Sequence, residues 1–181
     1  MPLPPSVPRE ELHLRRIELR GYRRHDGLYE IDARVTDTKS QPLQLKSGNE
    51  MLPAGMPLHD MWIRVVLDEE LVVHDIVAST DASPYPVCPE ATRTLAQLKG
   101  LRIGGGFSRA VRERLSGAQG CTHLTELLVP LATTAFQTLS PIRNAKPDRL
   151  DKNGRPVKID SCYAYASTRE LVRMNWPAFH K

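Results

Sequence analysis

The chain is poor in sulfur and aromatic rings, and it has no long apolar run. Three cysteines, Cys88, Cys121 and Cys162, occur in 181 residues. So sparse and odd a set excludes the disulfide framework of small secreted domains. Reduced thiols are expected, either packed as small apolar groups or used as ligands or nucleophiles. No stretch approaches the roughly 20 apolar residues of a membrane-spanning helix. The opening Met1-Pro2-Leu3-Pro4-Pro5 lacks a basic region followed by an apolar one, so no secretory signal is visible and a cytoplasmic location is expected. Aromatics make up only 6%, too few to interleave with a basic face as single-strand nucleic-acid binders require. The net charge of +4 arises from arginines scattered along the chain, so nucleic acid is not an expected partner. No Gly-x-Ser-x-Gly turn is present for a serine hydrolase. Gly104-Gly105-Gly106 lacks the lysine–hydroxyl pair of a phosphate loop and reads as a linker.

Strand periodicity dominates the first half. Ile17 and Leu19, then Tyr29, Ile31, Ala33 and Val35, alternate with polar residues. Asp26-Gly27 between them is a hairpin signal. Residues 38–57 are polar, rich in proline and glycine, and read as a loop. Residues 61–67 and 71–78 form two β-branched runs joined by Asp68-Glu69-Glu70, a second hairpin. Helical patterns follow: Ala91, Leu95 and Leu98 after Pro89; Phe107, Val111 and Leu115; and Leu124, Leu127, Leu128, Leu131 and Ala135, with Pro130 marking a kink or restart. Strands first and helices after predict an α+β fold: an antiparallel sheet of two consecutive hairpins with three helices packed on one face. Residues 1–12 read as a proline-rich arm, 13–140 as one domain, and 141–181 as a C-terminal extension packed on or near it. A late strand or packed segment is expected within 157–179.

Reactive residues gather at element ends. His59-Asp60 precedes the second hairpin; Asp81 and Cys88 follow it; Cys121, His123 and Glu126 open the last long helix. Thiolate, imidazole and carboxylate are the ligand types of zinc and iron. If Cys121 and His123 were both helical they would lie about 200° apart, so Thr122 is assigned as the N-cap and Cys121 is freed to turn toward Cys88. A thiol at a helix N-terminus is acidified by the exposed N–H groups. His123 and Glu126, three apart, share a helix face. His25 reads as a turn residue and His74 as a solvent-facing strand residue.

The segments 20–28 (RGYRRHDGL), 58–61 (LHDM), 83–88 (SPYPVC), 120–128 (GCTHLTELL) and 160–162 (DSC) resemble the bacterial family called domain of unknown function 2889. The resemblance covers almost the full length and implies no reaction. A looser resemblance, in the order of elements from His59 to Phe136, is to NifU-type iron–sulfur scaffolds. That likeness implies ligands at His59 or Asp60, at Cys88, and at Cys121 with His123.

The expected function is that of a small metal-binding protein. Zinc or iron would be held by some of His59, Cys88, Cys121 and His123. The metal would serve a lyase or hydrolase acting on a small organic molecule, with Glu126 or Asp60 carrying protons. Two alternatives stay open: a non-catalytic iron–sulfur or sulfur-handling accessory protein, and a metal-free enzyme with Cys121 as nucleophile and His123 or His59 as base. A homo-oligomer is also left open, and no membrane partner is expected.

Overall fold

A computed structural model describes residues 3–181. Six strands come first: β1 (His13–Arg23), β2 (Tyr29–Lys39), β3 (Leu43–Gln44), β4 (Met51–Leu52), β5 (Pro57–Leu67) and β6 (Val73–Ala82). The four long ones form an antiparallel sheet in the order β1-β2-β5-β6, while β3 and β4 pair only with each other. The two expected hairpins are therefore joined edge to edge into a meander. The segment read as a loop carries its own short hairpin. β5 begins earlier than expected, at Pro57, a first-strand position where proline's missing donor is tolerated. His59 and Asp60 consequently lie inside a strand rather than ahead of it.

The fold is α+β. A 3-10 segment, Cys88–Leu98, packs on β6, and the helices α1 (Phe107–Leu115) and α2 (Thr122–Thr138) follow. The first of the three expected helices is thus 3-10 rather than α. Its hydroxyls explain part of this, since Thr92 Oγ1 and Thr94 Oγ1 donate to the carbonyls of Pro89 and Ala91, three residues back. Gly106, at φ 91°, takes the left-handed turn that starts α1. α2 runs through Pro130 unbroken. The proline leaves the Glu126 carbonyl without its helical donor.

The core lies between the sheet's inner face and these helices. Tyr29, Ile31, Ala33 and Val35 of β2 and Met61, Ile63, Val65 and Leu67 of β5 are buried, as are Leu124, Leu127, Leu128, Leu131 and Ala135 of α2. α2 lies across β1, β2 and β5, and Gly21 permits the close approach of its last turn. A Cβ on Gly21 would stand 1.8 Å from Thr138 Oγ1. The chain divides into a unit that ends at Leu139 and a second, Ser140–Lys181. The second unit holds two short helices, α3 (Ser140–Asn144) and α4 (Glu170–Asn175). Within it, Trp176 Nε1 donates to Asp148 Oδ2 at 2.9 Å and Asp160 Oδ1 accepts the Ser167 N–H at 2.8 Å. Strand pairing there amounts to one isolated bridge, Leu150 with Pro156, among the described residues. No described helix is long and apolar enough to cross a membrane.

Candidate metal centre

Strand alternation places three polar residues on the inward phase at one end of the sheet. Asp37 continues the Tyr29–Val35 series by one step, and His59 continues the Met61–Leu67 series backward. In register, Arg15 of β1 faces Asp37 of β2, which faces His59 of β5. The β2–β5 ladder shifts at Asp37/Thr38 and the β5–β6 ladder at Asp60/Met61, two irregularities beside this row. Bulges concentrate next to functional sites because they re-aim side chains.

Asp37 is the hub. Arg15 grips it bidentately, Nε to Oδ1 and Nη2 to Oδ2, each at 2.8 Å. His13 Nε2 stands 3.2 Å from Oδ1 and His59 Nδ1 3.0 Å from Oδ2. The carboxylate is 1% exposed. Burial opposes its charge, but Arg15 first and His59 second overcome it, holding the acid down to about 2. An ionised carboxylate only accepts, so the proton on a neutral His59 sits on Nδ1 and leaves Nε2 with its lone pair. His59 is kept below the ordinary imidazole range by burial and then by the neighbouring His123 ring, against the pull of Asp37.

The first turn of α2 brings the partner groups. The His123 ring lies on His59 with centroids 3.7 Å apart and planes 33° from parallel. Ligand atoms of Asp37, His59 and His123 all fall within 4.8 Å of one another. Cys121 is not in that trio but touches one member, Sγ to His123 Nδ1 at 3.9 Å. The N-cap is Cys121 itself, with extended dihedrals (φ −91°, ψ 126°), and the helix starts at Thr122. As the capping residue, one position before the expected cap and with extended dihedrals, Cys121 is not bound by the helical 100° step and can meet His123 two positions on. Burial resists ionisation of the thiol, yet the His123 ring and the N–H groups of Leu124 and His123 outweigh it and leave Cys121 more acidic than an ordinary thiol.

The remaining sequence candidates separate. Glu126 lies one turn along α2 and accepts from Arg15 Nη1 at 2.6 Å, so it shares Arg15 with Asp37. Asp60 has the opposite strand phase and is held bidentately by Arg34 on the outer face, at 2.8 and 2.7 Å. Cys88, half-buried at the start of its 3-10 segment, is not a member of the close trio. His74 pairs with Asp68 at 2.8 Å at the far end of β6. Sequence reasoning passed over Arg15 and Asp37. The signal was present in the alternation, which puts both on the core side of their strands.

The family described as Protein of unknown function (DUF2889) matches residues 13–137. The chain belongs to that family. The match spans the sheet, α1 and nearly all of α2, and thus every residue of this centre. No curated protein and no solved structure gives a significant match, so the likeness to iron–sulfur scaffolds finds no structural counterpart.

Proposed function

We propose that this DUF2889 protein binds a transition metal, zinc or iron, at His59 and His123, and uses it as a lyase or hydrolase on a small organic molecule. The observation that carries the reading is the convergence of two imidazoles, from a strand and a helix start sixty-four positions apart (123 − 59), beside a buried carboxylate and an acidified thiol. Imidazole with one carboxylate or thiolate is a ligand set for zinc and non-haem iron. A metal with an open position supplies a bound hydroxide or polarises a carbonyl. Of the two carboxylates proposed as proton carriers, Glu126 is on this side of the sheet. Protein purified without an affinity tag under metal-replete, anaerobic conditions is expected to carry close to one equivalent of zinc or iron, lost in His59→Ala and His123→Ala. Less than about a tenth of an equivalent in the parent protein rejects the reading.

The contact between Cys121 and His123 favours a second reading, a metal-free thiolate nucleophile with His123 as its base. On that reading Cys121 alkylates with iodoacetamide at a pH midpoint below that of an ordinary thiol, and His123→Ala raises the midpoint. Modification of Cys121 only after unfolding removes it.

A further inference from the structure

Distance alone makes Asp37 the third ligand beside His59 and His123. Its hydrogen bonds argue otherwise. A carboxylate offers about four acceptor positions, and three are taken by Arg15 Nε on Oδ1 and by Arg15 Nη2 and His59 Nδ1 on Oδ2, while His13 Nε2 stands 3.2 Å from Oδ1. Arg15 also contributes a full positive charge within bonding distance, which opposes a cation on the same oxygens. Cys121 differs. Among the described residues its one side-chain hydrogen-bond partner is the nitrogen of His123 at 3.9 Å, beside the N–H groups of His123 and Leu124. Two ligands of one tetrahedral metal with a thiolate bond of about 2.3 Å and an imidazole bond of about 2.0 Å stand roughly 3.5 Å apart. Contraction of that contact places sulfur and the His123 nitrogen on one ion, and since Cys121 lies outside the group whose ligand atoms fall within 4.8 Å of one another, its side chain must also turn toward His59. Cys121 caps the helix rather than lying inside it, so its side chain is not held to the directions of an interior helical residue.

We infer that the metal's protein ligands are His59 through Nε2, His123 and the Cys121 thiolate, and that Asp37, clamped by Arg15, is a positioning residue that holds His59 from behind. This assignment rests on the metal-binding reading of the same site. It describes a three-ligand centre with a free coordination position, the arrangement of catalytic rather than structural zinc. Asp37 then takes the place that outer carboxylates hold behind metal-bound histidines, fixing the tautomer and the ring direction. The Arg15–Glu126 ion pair extends the frame to α2, tying the helix that carries His123 and Cys121 to the strand row that carries Asp37 and His59.

The test is titration of the full, metal-free chain with cobalt(II), followed by zinc competition. The parent protein should show a thiolate-to-cobalt charge-transfer band in the near ultraviolet. Cys121→Ser should lose that band. His59→Ala and His123→Ala should lose binding. Asp37→Asn should keep the band and weaken affinity by about 10–100-fold, with long-range proton–nitrogen correlation showing His59 bound through Nε2 in the parent. Arg15→Lys, which keeps the charge but not the fork, should also keep the band with a smaller loss of affinity. This variant reports on the frame if Asp37→Asn folds poorly. Cobalt bound with no thiolate band overturns the ligand assignment and leaves the metal reading standing, as does binding of His59 through Nδ1. Binding lost in Asp37→Asn as fully as in His59→Ala makes Asp37 a ligand and also overturns it. A parent protein that binds no cobalt rejects the assignment and the metal reading together.

Discussion

The two faces of the sheet carry the same chemical unit, an arginine fork on an aspartate, in different surroundings. On the outer face Arg64 grips Asp32, its directly opposed residue, at 2.7 and 2.9 Å, and Arg34 grips Asp60 while lying 4.6 Å over the Trp62 ring. On the inner face Arg15 grips Asp37. The distances are nearly equal, but the aspartates are 16% and 14% exposed outside and 1% inside. Water can replace a lost partner outside. Inside, among the described residues, His13 and His59 remain, and His59 is the group the proposed metal centre needs in a fixed tautomer. Near-identical pair geometry is therefore surface adhesion on one face and, on the other, a buried frame around the proposed metal centre.

The strongest way to break that comparison is to remove the inner arginine. Arg15→Met leaves a buried carboxylate without its counter-ion and should lower stability by about 3 kcal/mol, read by urea unfolding at neutral pH. A loss below about 1 kcal/mol would make the inner pair no different from an outer one.

Removing the inner aspartate tests the same burial through pH. The folded-state acidity of Asp37 lies near 2, below its ordinary 3.8. A depressed carboxylate contributes stability that is fully present above its unfolded-state value and is lost as pH falls through its folded-state value. Asp37 should therefore add about 2 kcal/mol above roughly pH 4, fading toward pH 2. Asp37→Asn should be less stable than the parent at pH 7, and the two stability curves should converge through that acid window. A gap that stays constant down to pH 2 would show that packing rather than charge is responsible.

The comparison also explains which parts of the molecule were legible in the sequence. Alternation in Tyr29–Val35 and the Asp26-Gly27 turn located the first hairpin because a half-buried strand writes its burial at period two. The apolar series from Leu124 to Ala135 located α2 for the same reason at helical period. His59, Cys121 and His123 were recognisable as reactive types near element ends. Reading residues by proximity in sequence, however, joined His59 to Asp60, and strand geometry sends those two to opposite faces. Asp37 and Arg15 were missed because a charged residue in the core phase at a strand's end looks like the strand stopping. Its meaning depends on the register between β1, β2 and β5, which pairs residues twenty-two positions apart (37 − 15 and 59 − 37) and leaves no local trace. The Gly21–Thr138 approach is equally non-local, since nothing in Arg20-Gly21-Tyr22 says which helix turn lies above it. The short β3–β4 pair escaped because two-residue strands have no periodicity to read.

The smallest expected effect comes from the outer face and sharpens the contrast. Arg64 is 53% exposed and its partner Asp32 lies at the surface of the meander, with Glu30 Oε1 a further 3.3 Å neighbour of the same guanidinium. Loss of Arg64 leaves Glu30 its other partner, Arg24 Nη1 at 3.3 Å, and leaves Asp32 open to partial hydration, which with salt screening compensates most of the lost attraction. Arg64→Met should therefore cost less than about 1 kcal/mol, an amount that shrinks further in molar salt, with no change in metal affinity. The paired measurement with Arg15→Met removes the side chain's chemistry from the question, because both variants delete the same guanidinium from the same kind of fork. An Arg64→Met loss as large as that of Arg15→Met would mean that pair geometry, and not burial, sets the value of these bridges. The inner row would then lose its claim to be more than another rung of the sheet.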